Sequence, residues 1–125
     1  MIQTDAPFHA HVYYSPDERP AAAMLRESFA RDHAILFVGR MMDHPVGPHP
    51  IAQFEAHFDA RSCEAVIVAI EATGLRALVH PLTDDDLADH TRLARWIGEP
   101  LKLDLSVLDP PGANQGVGRF GSSDF

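Results

Sequence analysis

Over residues 8–14 apolar and polar positions alternate, with Phe8, Ala10, Val12 and Tyr14 on one side and His9, His11 and Tyr13 on the other. Aromatic and branched residues at period two predict a strand, preceded by a short arm over residues 1–7. Ser15-Pro16-Asp17-Glu18 then carries the features of a helix start, with Ser15 as N-cap, Pro16 at the first helical position and Glu18 closing a capping box. Ala22, Leu25 and Phe29 continue that helix as an apolar stripe. Residues 34–38 are a short apolar run ending at Gly39, which predicts a second strand, and residues 40–50, with Pro45, Gly47, Pro48 and Pro50, predict a loop. Alternation returns over residues 51–58, where Ala52, Phe54, Ala56 and Phe58 face one way and Gln53, Glu55 and His57 the other. Asp59 is placed to cap a second helix with the stripe Cys63, Val66, Ile67 and Ile70 and a stop at Gly74. Residues 75–80 read as a fourth strand closed by Pro81.

The order β-α-β-β-α-β predicts an α+β, ferredoxin-like sandwich. Both helices would cover one sheet face and leave the other open, shared by His9, His11, Tyr13, Gln53, Glu55 and His57. An appendix follows. Thr83 before Asp84-Asp85-Asp86 predicts a helix start, with carboxylates favoured in the first turn by the helix dipole. That helix should run to about Ile97 and stop at Gly98, with Pro100 beyond. Leu101, Leu103 and Leu105 alternate with Lys102, Asp104 and Ser106, predicting an extra C-terminal strand over 101–108. Residues 1–108 thus form one domain, and the Pro, Gly, Ser and Asn content of 109–125 predicts a flexible C-terminal tail. Glycines at 116, 118 and 121 match a dinucleotide-binding spacing, but no strand is predicted before them and no helix after them, so that reading fails.

Composition narrows the function classes. With 46% hydrophobic and 22% charged residues in 125, general disorder is excluded. Ten Lys+Arg against eighteen Asp+Glu give a net charge of −8, which repels phosphate backbones, and no basic patch offsets it, so no nucleic-acid partner is expected. No apolar run approaches the roughly 18 residues of a membrane span, and the first residues lack the basic and apolar regions of a signal peptide. The single cysteine, Cys63, cannot form an internal disulfide and falls on an apolar stripe, so it reads as packing in a cytoplasmic protein. The open face or an edge of so small a sheet invites a partner copy, predicting a homodimer.

Eight histidines supply the candidate chemistry. His9 and His11 leave the same strand face roughly 7 Å apart at the backbone, a separation two imidazoles can close on one metal ion. The alternative is a solvated polar face. His80 ends the fourth strand, which neighbours the first in this topology; it is a third ligand or a strand cap. Two histidines and one carboxylate with open positions are what a non-haem Fe(II) oxygenase requires, and Glu55 is the nearest carboxylate. His49, held between Pro48 and Pro50, and His90, on the inner stripe of the appended helix, are acid–base candidates; a rigid turn and a core histidine are the alternatives. Arg40 at the loop entrance and Tyr13 beside His11 are candidate substrate contacts, Arg40 also reading as a plain surface charge. His33, His44 and His57 read as surface residues.

Four stretches together resemble the DOPA 4,5-dioxygenase family: Phe8-His9-Ala10-His11-Val12-Tyr13-Tyr14, Val38-Gly39-Arg40 leading to Pro45-Val46-Gly47-Pro48-His49-Pro50, Val79-His80-Pro81-Leu82-Thr83, and Asp85-Asp86-Leu87 with Asp89-His90 through Trp96-Ile97-Gly98-Glu99-Pro100-Leu101. Asp84 departs from the small residue expected there. The resemblance implies extradiol cleavage of a catechol such as DOPA by O₂ at a non-haem Fe(II), with the family histidines falling on His9, His11, His49, His80 and His90. The competing readings are a non-catalytic zinc-binding domain with the same histidines and a dimeric small-molecule-sensing module in which they are incidental.

Overall fold

A computed structural model describes residues 4–123 and 125; the first three residues of the N-terminal arm lie outside the described part. Strands β1 (Pro7–Tyr13), β2 (Phe37–Val38), β3 (Gln53–Asp59), β4 (Ala77–Pro81) and β5 (Arg95–Ile97) form one sheet in the order β2-β3-β1-β4-β5. Helices α1 (Arg19–Ala30) and α2 (Cys63–Glu71) make the βαββαβ core, and α3 (Asp86–His90) with β5 is the C-terminal addition. The architecture is the expected α+β, ferredoxin-like sandwich with an extra helix and strand. Every sheet pairing is antiparallel.

The period-two patterns decide the faces. Ala10 and Val12, Phe54, Ala56 and Phe58, and Ala77 and Val79 point to the helices and meet Leu25, Phe29, Val66, Ile67 and Ile70 in one core. Each fully buried large apolar side chain there contributes about 1.5–3 kcal/mol. Beyond Gly74, whose φ of +76° ends the α2 segment with no side-chain penalty, the chain turns into β4.

Several local expectations change. Helix α1 starts at Arg19, so Pro20 occupies its first turn; Ser15 and Glu18 still form their reciprocal pair, Ser15 N donating to Glu18 Oε1 at 2.9 Å and Glu18 N to Ser15 Oγ at 3.3 Å, but in the turn before the helix. Asp59 does not cap α2, because a 3₁₀ turn (Ala60–Ser62) intervenes. The appended helix is five residues and does not run to Ile97, and its N-cap is Asp85, which accepts from Ala88 N, while Thr83 Oγ1 instead donates to Asp89 Oδ1 at 2.7 Å. Its expected second half is drawn into the sheet as β5, where Arg95, Trp96 and Ile97 pair with Val79, Leu78 and Ala77. An otherwise open edge of β4 outweighs local helix signals when aromatic and branched residues can fill it. With that edge taken, 101–108 is not a strand; it carries a 3₁₀ turn (Leu105–Val107). From Asp109 the chain returns across the non-helical sheet face and includes a short helix, α4 (Gln115–Gly118), preceded by a turn and not a strand. No helix among the described residues is long and apolar enough to cross a membrane.

Candidate metal centre and its cavity

Strand β1 is central, so its odd-numbered side chains have neighbours on both flanks. His9 sits opposite His57 on β3 and His80 on β4; His11 sits opposite Glu55, and Tyr13 opposite Gln53. The face expected to be open is closed. His9, His11, His49, His57, His80, Glu55, Gln53 and Tyr13 are each 2% exposed or less. The loop bearing His49, helix α3 bearing His90, and Phe120 and Phe125 from the C-terminal segment all have ring contacts with these residues. His57, read as a surface residue, is fully buried and stacks on His9 at 3.8 Å between ring centroids. Its shared parity with Glu55 in the third strand was the signal that places it here.

Hydrogen bonds fix the protons of two imidazoles. His11 Nδ1–H donates to Gln53 Oε1 at 3.0 Å, and His80 Nδ1–H donates to the Pro81 carbonyl at 2.8 Å. Both acceptors are oxygens that cannot donate, so each neutral ring keeps a bare lone pair on Nε2. Those two Nε2 atoms lie 3.1 Å apart. Two lone pairs at that distance repel unless a cation lies between their axes, and nitrogen ligands about 2.0–2.1 Å from one ion are separated by about this much. His9 is buried with no hydrogen-bond partner on either ring nitrogen, which leaves a substantial desolvation cost unless a ligand bond offsets it. His9, His11 and His80 hold donor atoms within 4.8 Å of one another, as do His9, Glu55 and His57. The residues therefore fit a metal ion. Histidine nitrogens with a carboxylate oxygen, in the facial arrangement these two overlapping groups allow, are the donor set of non-haem Fe(II).

The second group differs from the first in one proton. Gly121 N–H donates to His57 Nδ1 at 3.0 Å, so the neutral ring carries its proton on Nε2, which faces Glu55 Oε2 at 3.4 Å. In that tautomer His57 steadies the carboxylate and has no lone pair for an ion. Gly39 permits the packing of Glu55, since a Cβ there would lie 2.7 Å from Glu55 Cγ.

A cavity of about 160 Å³ adjoins His11 and His80 and is lined also by His49, His90, Asp86, Arg119 and Phe125. Tyr13 does not line it. Its hydroxyl is 2.7 Å from His49 Nδ1 and its ring stacks on Trp96. Burial pushes the Tyr13 phenol far above its ordinary value, so the hydroxyl stays protonated and donates to His49 Nδ1, placing the His49 proton on Nε2. His90 is the opposite case: Nδ1–H donates to the Asp86 carbonyl at 2.8 Å and lies 3.2 Å from Asp86 Oδ1, leaving Nε2 as a lone pair. Arg40 is exposed and lines a smaller recess with Gly39, Met42 and Glu55, apart from the main cavity.

Burial, reinforced by mutual repulsion, holds His9, His11, His49 and His80 well below the ordinary imidazole value. His90 goes the other way: burial alone lowers it, but the hydrogen bonds and charge of Asp86 together raise it above the ordinary value. The site thus joins neutral nitrogen donors to one more basic imidazole.

Residues 8–107 match the sequence profile of the Dopa 4,5-dioxygenase family. An uncharacterised 21.2 kDa protein of Botryotinia fuckeliana is 36% identical, over 81% of this chain and 62% of its own length. The DOPA 4,5-dioxygenase of Amanita muscaria is 32% identical, over 81% of this chain and 49% of its own. The chain therefore spans about half to three fifths of the length of these curated relatives. A candidate dioxygenase of Nostoc punctiforme, known from its crystal structure, superposes with a TM-score of 0.76 at 34% identity, covering 83% of this chain and 91% of that one.

Proposed function

The chain belongs to the Dopa 4,5-dioxygenase family, and from that premise we propose that it cleaves the ring of a catechol with O₂ at an Fe(II) held by His9, His11, His80 and Glu55. The observation that carries the reading is the pair of bare Nε2 lone pairs on His11 and His80, 3.1 Å apart, at the wall of a ring-sized cavity. A cavity of about 150 Å³ holds a benzene ring. The bound iron supplies the redox chemistry that lets O₂ react with a catechol and lowers the pKa of the hydroxyls it binds.

The protein's own residues handle protons, geometry and water. His90 is the base: its Nε2 lone pair lines the cavity, and Asp86 steadies the imidazolium that forms when a substrate hydroxyl gives up its proton. His49 is a donor, presenting Nε2–H to the substrate or product oxygens while Tyr13 holds the ring in that tautomer. This assignment supports His90 rather than His49 as the base. Tyr13 acts through His49, and Gln53 through His11. Leu82 and Phe125 add apolar wall that limits water.

Anaerobic loading with Fe(II), followed by mixing with O₂ and a panel of catechols, tests the reading. One O₂ consumed per ring-opened yellow product, lost in His11→Ala and His80→Ala, is the expected result. Iron bound at one equivalent with no O₂ uptake on any catechol overturns it. The homodimer belongs to the same proposal and is supported by the exposed Leu36 next to the sheet edge; sedimentation equilibrium at a monomer mass removes it.

A further inference from the structure

Helix α3, which carries His90, is five residues long, below the roughly 12 residues an isolated helix needs to hold itself. The place of that imidazole is therefore set by ties to the rest of the fold. Asp89, next to His90 in the chain, is fully buried and collects three of them. Its Oδ2 accepts from Thr83 N–H at 2.8 Å and from Asn114 Nδ2–H at 3.1 Å, and its Oδ1 accepts from Thr83 Oγ1–H at 2.7 Å. Burial pushes the Asp89 carboxyl above its ordinary value and the Thr83 bonds pull it back, so the charge there depends on its donors.

Both arms of this clasp reach the site. Thr83 lies just beyond the end of β4 at Pro81, and β4 carries His80, whose ring centroid is 4.4 Å from that of His90. Asn114 comes from the opposite direction. The family match ends at residue 107, and six of the described cavity-lining residues lie beyond it, Asn114 among them. Asn114 Nδ2 also donates to the Thr83 carbonyl at 2.7 Å, and its Oδ1 accepts from Gly116 N–H at 3.0 Å. Both amide hydrogens are then spent. Asn114 is a lock on Thr83 and Asp89, not a contact for substrate.

We propose that Asp89 is a positioning residue for His90: the clasp it forms with Thr83 and Asn114 fixes the distance of that imidazole from His80 and from a catechol in the cavity. The proposal rests on the dioxygenase reading above for the proton transfer that His90 serves. A misplacement of about 1 Å at such a group costs up to about 100-fold in rate. The test uses the full chain with Asn114→Leu and Thr83→Val, near-isosteric changes that each delete part of the clasp, and with Thr83→Ser, which keeps it. In the protein loaded with redox-inert Zn(II), nitrogen-15 NMR reads the His90 ring and its proton contacts with His80. Both deleting variants should shift the His90 signals and weaken those contacts at a zinc affinity within about twofold of wild type, while Thr83→Ser leaves the wild-type pattern. In the iron protein the deleting variants should lower kcat about 10- to 100-fold with KM within about threefold. Asn114→Leu made on top of His90→Gln should cost less than about twofold more. His90 signals indifferent to both deleting variants overturn the proposal, as does a kcat loss of equal size with His90 already removed. Shifted His90 signals in the zinc protein, with no O₂ uptake by the wild-type iron protein, uphold the positioning and remove the dioxygenase reading.

Discussion

Acid should unfold the metal-free protein through its histidine cluster. His9, His11, His49 and His80 are neutral in the fold because burial and neighbouring imidazoles hold their pKa values well below the ordinary 6.5. In the unfolded chain each returns to about 6.5 and takes up a proton first. The sign follows: a base with a depressed folded pKa costs nothing above pH 6.5 and destabilises the fold as pH drops below it. At pH 5.5 each such site costs about 1.4 kcal/mol, so four cost about 5.5 kcal/mol relative to pH 7.5, against a typical total stability of about 5–15 kcal/mol. His90, raised by Asp86, opposes this with stability that is fully present below pH 6.5 and lost as pH rises through its folded value. Urea unfolding followed by Trp96 fluorescence in a chelator, from pH 7.5 to 5.5, measures the sum. A loss near 5 kcal/mol, with His9→Phe recovering about 1.4 kcal/mol of it, is the expected result. A loss under about 1.5 kcal/mol, the share of a single site, would refute the account of the buried neutral cluster.

Gln53→Leu removes the acceptor that fixes the His11 tautomer and should weaken metal binding by about 10- to 100-fold in a competitive chelator titration. Tyr13→Phe frees His49 to change tautomer; turnover should fall about tenfold or more while metal content and the unfolding midpoint stay near wild type. Asp86→Asn removes the charge that raises His90, so the acidic limb of the rate profile should move to lower pH, with a lower plateau from a weaker base. Ile67→Ala, on the helix side and remote from the histidines, should cost about 2–5 kcal/mol in urea unfolding without altering metal stoichiometry, which separates loss of the core from loss of the site.

What could be read from the sequence follows from how far each signal reaches. A strand's period of two is local, so the alternation over residues 8–14 and 51–58 already put His9, His11, Tyr13, Gln53, Glu55 and His57 on one face, and the helix stripes gave α1 and α2 their buried sides. The sheet order then supplied His80, because the fourth strand of this topology lies against the first. The reading of His57 as a surface residue fails, although it shares that parity, because the face is closed. What closes the face carries no period: the loop around His49, one turn of helix before His90, and a segment rich in glycine and serine that brings Phe120 and Phe125 back over the sheet. The same limit explains 83–97. Thr83 and the three aspartates that follow it are strong helix signals within one turn, but the pairing of residues 95–97 with β4 is decided by a strand edge that local spacing cannot see. The roles of His49 and His90 depend on this reach as well. Both are histidines near prolines or aspartates in the chain, and only the three-dimensional partners, a phenol on Nδ1 of one and a carboxylate on Nδ1 of the other, leave a proton on Nε2 of the first and a lone pair on Nε2 of the second.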